Sequence, residues 1–187
     1  MKAGPKAAVT APPLDLSALG PVGWRRVDAF AREYLRVPKG QGAKEPFRLR
    51  RWQLDIVKAL YPMRGARPRQ GLLSLPRGNG KTALAAVLGA YGLFGDDVEG
   101  AQVLIVASDE RQAGHVFRAV RRMIELEPRL AEQVQVYADR IVVPHTASEL
   151  RTLPAEPGAL QGWDPTLRVV DELHVVTEPV WEAVTSA

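Results

Sequence analysis

The stretch Leu72-Leu73-Ser74-Leu75-Pro76-Arg77-Gly78-Asn79-Gly80-Lys81-Thr82 constrains this chain more than any other. An apolar run stops at a proline, crosses a glycine-bearing loop and ends in Gly-Lys-Thr at the head of an Ala/Leu-rich run. The pattern predicts a buried strand over 71–75 and a helix over 82–93, joined by a tight loop. Such a loop aims backbone N–H groups and the positive end of a helix dipole at one point, which makes a cradle for phosphate. Gly78 and Gly80 carry no Cβ and admit close approach of the backbone. Asn79 lies between them in the cradle, Lys81 suits the β- and γ-phosphates of ATP, and the Thr82 hydroxyl suits a Mg2+ ion. The full spacing G-x-x-x-x-G-K-[ST] wants a glycine where this chain has Leu75. The tripeptide alone also fits an ordinary glycine-rich turn followed by lysine.

A second segment supplies acid. Leu167-Arg168-Val169-Val170 is a short apolar run ending in Asp171-Glu172, 90 residues beyond Lys81. In an open α/β sheet, ligands bind at the carboxyl ends of parallel strands, so both acids would project toward the phosphate loop. Asp171 would hold the Mg2+ shell, and Glu172 would orient or deprotonate the attacking water. Arg168 breaks the apolar run and suits an edge or interface position. His174 reads as a helix-start or supporting histidine; the alternative, implied by a resemblance to helicase-like ATPases that place a histidine there, is a link between nucleotide state and DNA contacts. The three histidines are scattered and cysteine is absent, so no Cys/His metal site is expected.

At 187 residues the chain is long enough for one sizeable core and short for two domains. The absence of cysteine excludes disulfides and suits a reducing cytoplasm. No apolar run is long enough to span a bilayer, and the N-terminus lacks the apolar core of a secretory signal. A net charge of +4 permits a polyanionic partner.

Along the chain, residues 1–21 are rich in Ala, Pro and Gly and are expected to be disordered, with one ATPase domain over 22–187. Helices are expected over 24–35, 50–61, 82–93 and 110–126, the last capped by Asp109. Strands are expected over 102–107, 150–153 and 167–170, with a hairpin of 134–137 and 140–143 about Ala138-Asp139. Alternating strands and helices imply an α/β fold with a mostly parallel sheet flanked by helices. A glutamate beside the strand-end aspartate suits the additional-strand, catalytic-glutamate class of P-loop NTPases.

Three further features carry two readings each. Trp52-Gln53 could stack on and hydrogen-bond an adenine, though on residue chemistry a helix start with Trp52 in the core is preferred. Arg118, Arg121 and Arg122 share one helix face and could meet DNA phosphates, with a solvated basic face preferred. Arg77 fits either an in-chain arginine finger at the γ-phosphate or a solvent-facing loop residue.

Taken together, Arg51-Trp52-Gln53, the phosphate loop opening Pro76-Arg77, Ala107-Ser108-Asp109-Glu110-Arg111-Gln112-Ala113 and Val170-Asp171-Glu172-Leu173-His174 resemble the large terminase subunit of tailed bacteriophages. The resemblance spans about 47–174. It implies that Trp52 and Gln53 recognise adenine, that Arg77 is the loop arginine used as a finger in some relatives, and that Arg151 is a candidate for the arginine a neighbour donates in others. It also implies a homo-oligomeric ring docked on a portal protein, working with a small terminase subunit to drive double-stranded DNA into a procapsid in the host cytoplasm, with no membrane partner. Terminase large subunits typically continue into a coupling motif and a nuclease domain. This sequence stops 15 residues after Glu172, so an N-terminal fragment with an incomplete ATPase sheet and no nuclease is expected. Alternatives are a helicase-like DNA-dependent ATPase, or a nucleotide-binding assembly fragment without turnover.

Overall fold

The computed structural model describes residues 8–20, 22–76, 78–107, 110–171, 173 and 176–185. In chain order these form α1 (Trp24–Tyr34), α2 (Arg51–Leu60), α3 (Lys81–Phe94), β1 (Gln102–Ala107), α4 (Glu110–Glu125), α5 (Pro128–Ala131), β2 (Gln135–Val136), β3 (Arg140–Val143), β4 (Ser148–Pro154), α6 (Pro157–Leu160), β5 (Leu167–Val170) and α7 (Glu178–Thr185). The sheet runs β2-β3-β4-β1-β5. β1 lies parallel to both β4 and β5, while β2, β3 and β4 pair antiparallel. The parallel trio is the sheet's working centre, and the hairpin extends it on one side.

β1 is central because its side chains have partners on both faces. Val103 and Ile105 pack into the core that holds α3 and α4. Leu104 and Val106 face a second cluster with Leu160 of α6 and Val180 and Val184 of α7. Burial on both faces explains the uninterrupted run Val-Leu-Ile-Val, where a strand exposed on one side would alternate. β5 stands at the edge, and its Arg168 is opposite Leu104. The Arg168 guanidinium reaches the Val184 carbonyl through Nη1, while Nη2 is buried without a partner among the described residues. Burial lowers its pKa from the usual guanidinium value.

α3 is held from its far end as well as by the sheet. Tyr91 sits edge-on to Phe30 and Tyr61, with ring centroids 5.7 and 5.4 Å away. The buried Arg26 donates to the carbonyls of Gly95 at 2.9 Å and Gly20 at 2.6 Å, and to Asp97 at 2.7 Å. One guanidinium thus fastens α1, the end of α3 and the N-terminal segment together.

Two expectations need correction. Residues 8–20 lie against the body instead of being disordered. Leu16 and Leu19 are buried, and the carbonyls of Pro12 and Asp15 accept from Gln133 and Tyr34 at 2.8 and 3.1 Å. A few leucines with carbonyl anchors thus offset the Ala/Pro/Gly composition. Residues 71–75 form no strand. Leu72 is 81% exposed and Leu73 38%, because no described strand offers this segment a ladder or covers its two faces. Three helices, α5, α6 and α7, were not anticipated; α5 and α6 each begin at a proline, which suits the first helical position.

Candidate nucleotide-binding site

The loop before α3 has the backbone its glycines allow. Gly78 and Gly80 have φ of +80° and +83°, in the left-handed region that other residues enter at a cost. Gly80 is the N-cap of α3, so Lys81 and Thr82 open the helix. Among the described residues no side chain caps this N-terminus, which leaves its amides available to an anion. The Asn79 amide donates to the Pro76 carbonyl at 3.3 Å and braces the loop from within. Lys81 and Thr82 are half-buried.

α2 meets the loop through Gln53. This side chain is 3% exposed, and a Cβ placed on Gly80 would lie 3.7 Å from its Nε2. Gln53 Oε1 accepts from the Arg50 backbone N–H at 2.9 Å and so caps α2. The structure therefore brings Gln53 to the loop with its carbonyl oxygen already engaged and its amide nitrogen facing Gly80. Trp52 is half-buried and packs against the core.

Asp171 follows β5, and its N–H donates to the Val106 carbonyl at 3.0 Å, extending the β1–β5 ladder by one residue. Its relation to the loop follows from how α3 lies on the sheet. A Cβ on Gly92 would meet both Leu167 and Val103 at 3.2 Å, so this part of α3 rests on the amino-terminal ends of β5 and β1. Ten residues back along α3 is Thr82, roughly 15 Å away at the helical rise. Four residues forward along β5 is Asp171, roughly 13 Å away at the strand rise. α3 leads directly into β1, so it runs back toward the strands' carboxyl ends. An α3 antiparallel to β1 and β5 would set Lys81 and Thr82 at the same end of the sheet as Asp171.

The remaining predicted residues are placed as follows. Arg77, Glu172 and His174, with the Asp109 cap, lie outside the described residues. Arg151 is half-buried on β4, 3.2 Å from Glu149 and stacked over Trp163, so it is engaged within its own chain. On α4, Glu125 takes both Arg121 and Arg122, at 2.7 and 3.6 Å, and Arg118 contacts His115 at 3.0 Å. That face is partly neutralised. A cleft of about 730 Å3 lies against Arg26, Asp96 and Asp97, at the opposite end of α3 from the loop. Sequence reasoning passed over Gly89 and Gly92, which seat α3 on the sheet; two glycines three apart in an Ala/Leu helix were the available signal.

A mixed α/β sheet, a glycine loop opening into α3 and an aspartate at the end of the neighbouring parallel strand define a P-loop NTPase of the α/β class. The family model for the ATPase domain of the terminase large subunit matches residues 51–186. The chain belongs to that family. It is 32% identical over 157 residues to the terminase large subunit of Enterobacteria phage HK97, covering 82% of this chain and 31% of that protein. The crystal structure of the HK97 large terminase superposes with a TM-score of 0.75 at 31% identity, over 88% of this chain and 34% of that one. The large terminase ATPase domain of Thermus phage P74-26 superposes with a TM-score of 0.58 at 25% identity, over 75% of this chain and 59% of that one. The chain thus spans about a third of the length of the HK97 protein. Among the described residues no helix is long and apolar enough to cross a membrane.

Proposed function

We propose that this chain binds and hydrolyses ATP as the motor part of a viral DNA-packaging terminase. The observation that carries the reading is the glycine loop, with Gly78 and Gly80 at positive φ, opening directly into α3 in a chain of the terminase ATPase family. Gly78, Asn79, Gly80 and Lys81 would surround the phosphates, with Lys81 on the β- and γ-oxygens. Thr82 and Asp171 supply two hard oxygen ligands, a donor set that suits Mg2+ completed by phosphate and water. When bound, Mg2+ would neutralise charge developing on the phosphates. Glu172 would orient and deprotonate the attacking water, and Arg77 would reach the γ-phosphate. Trp52 would contact the base, and Gln53 would offer it Nε2. The hydrolysis cycle would shift the loops around the site and pass that movement through a homo-oligomeric ring to double-stranded DNA. The partners of this reading are a portal protein and a small terminase subunit, met at the procapsid in the host cytoplasm.

One observation favours a second reading. The segment 71–76 leading into the loop lacks a ladder partner among the described residues, and Leu72 is largely exposed. A loop so loosely anchored would bind nucleotide but turn it over slowly. Steady-state hydrolysis at saturating Mg·ATP, with Glu172→Gln as the blank, decides between them. Turnover above the blank, lost in Glu172→Gln while nucleotide binding persists, supports the motor. Lys81→Ala should weaken binding of a fluorescent ATP analogue itself. Equal turnover in wild type and Glu172→Gln, with binding that depends on Lys81, leaves the chain a nucleotide-binding module.

A further inference from the structure

The charge of this chain is concentrated in one segment. Residues 36–70 hold ten Lys and Arg against two Asp and Glu, whereas the rest of the chain holds fifteen against nineteen. Three of the ten cations are engaged: Arg36 with Glu127 at 2.5 Å, Lys58 with Asp55 at 3.1 Å, and Arg67 with Asp96 at 2.6 Å. The other seven, among them Lys39, Lys44, Arg51, Arg64 and Arg69, are exposed and have no ion-pair partner among the described residues. Their mutual repulsion is a standing cost that a bound polyanion would relieve.

The engaged cations help hold the free ones in place. Arg67 grips Asp96 through both terminal nitrogens, at 2.7 and 2.6 Å, and lies over the Tyr61 ring at 4.6 Å. The loop after α2 is thereby pinned at its middle and presents Arg64 and Arg69 on either side. The loop before α2 is closed by the Arg36–Pro46 bridge and by the Lys44 N–H to Val37 carbonyl bond at 2.9 Å, which fixes Lys39 and Lys44 near its tip. Arg48, Arg50 and Arg51 stand at the head of α2, two to five residues from Gln53 and the phosphate loop.

We infer that the surface of residues 36–70 binds the phosphate backbone of duplex DNA. This rests on the proposed function for the identity of the polyanion and adds where the chain would hold it. Arginine prevails among the free cations and suits phosphate oxygens through its planar fork. The segment offers no free aromatic platform for unstacked bases: Phe47 and Tyr61 are buried and Trp52 is half-buried. Contact through phosphates alone favours a duplex over a single strand, and a salt-sensitive, sequence-independent grip over base reading.

The test compares two neutralised triples, Lys44→Gln/Arg64→Gln/Arg69→Gln in this segment and Arg118→Gln/Arg121→Gln/Arg122→Gln on α4. Fluorescence anisotropy of a labelled random-sequence duplex is followed between about 50 and 200 mM salt. The segment triple should weaken duplex binding by about tenfold or more and lower the log–log salt slope by up to about 0.9 per cation removed. The α4 triple should change neither, and binding of a fluorescent ATP analogue should be unchanged in the segment triple. The inference is overturned if wild type fails to bind duplex at about 50 mM salt, or if the segment triple binds as wild type does. It is also overturned if polyglutamate displaces the protein as readily as unlabelled duplex, which would make the surface a site for acidic protein. Nucleotide binding that ignores Lys81→Ala would defeat the ATPase reading and leave this one standing.

Discussion

Gly92→Ala sets two known effects against each other, and the structure decides between them. Alanine in a helix interior is worth about 1 kcal/mol over glycine, so propensity alone predicts stabilisation. The new methyl, however, would stand 3.2 Å from both Val103 Cγ2 and Leu167 Cδ2, closer than the roughly 3.5–4.0 Å of an ordinary carbon contact. Leu167 is half-buried on an edge strand and can yield. Val103 is fully buried on the central strand and its branched Cβ holds one rotamer, so α3 must move instead. Overpacking of this kind costs about 1–3 kcal/mol, leaving a net loss of about 1 kcal/mol and a fall of about 2–4 °C in Tm. The same displacement shifts Lys81 and Thr82 relative to Asp171, so nucleotide affinity should fall with stability. Chemical denaturation and titration with a fluorescent ATP analogue, run on Gly92→Ala, Val103→Ala and the double variant, would measure both. The double variant should recover about 1 kcal/mol relative to the sum of the singles. A Gly92→Ala protein that gains the full propensity term, binds nucleotide normally and shows no coupling to Val103 would refute the claim that α3 is seated here.

Other expectations follow from single side chains. Arg26→Met strips three buried or part-buried carbonyl bonds and should cost about 2–4 kcal/mol, with faster hydrogen exchange first in residues 8–20. Asp97→Asn removes only an exposed partner and should cost under about 1 kcal/mol; equal losses in the two variants would shift the credit to the ion pair. Burial, aided by Asp96, pushes the Tyr91 hydroxyl up to about 12, so the folded state keeps a proton that the unfolded chain releases near its ordinary value of 10.0. That contribution is intact below about pH 10 and is lost as pH rises toward 12, and Tyr91→Phe should make the alkaline loss of stability shallower. Gln53→Met keeps the volume but removes the α2 cap, costing about 1 kcal/mol by thermal melt. Gln53→Glu places a carboxylate beside Gly80 and should cut nucleotide affinity sharply, and an unchanged affinity would separate this residue from the nucleotide.

The fold was legible where local pattern and tertiary environment agree. β1 was found at its ends because its run Val103-Leu104-Ile105-Val106 is buried on both faces and has only one suitable place in a sheet. α1 was legible because its apolar residues recur at helical spacing. The hairpin of β2 and β3 followed from a turn between two short β-prone runs, and it pairs as expected. Residues 71–75 have the same composition as a buried strand, but composition specifies only what a partner would cover. Pairing is non-local, and these leucines stand exposed without it. The N-terminal segment errs the other way: its anchors are its own backbone carbonyls, reached by side chains such as Gln133, 121 residues distant. No window of sequence holds that information.

For the site, what the sequence reveals and what it hides divide along covalent distance. The loop, with its two positive-φ glycines and its Lys81-Thr82 exit, is a local device, and contiguous residues were enough to identify it. That Asp171 would stand at the same end of the sheet is a different kind of statement. It depends on α3 lying across β1 and β5 at Gly92, where the absence of a side chain sets the distance between helix and sheet. Gln53 joins the two kinds. Its place three residues into α2 made it a cap by local chemistry, since Oε1 accepts from Arg50 three residues back. Only the packing of α2 against the loop gives its Nε2 a second neighbour in Gly80. A residue so placed ties the phosphate loop to the helix whose flanks carry the free cations.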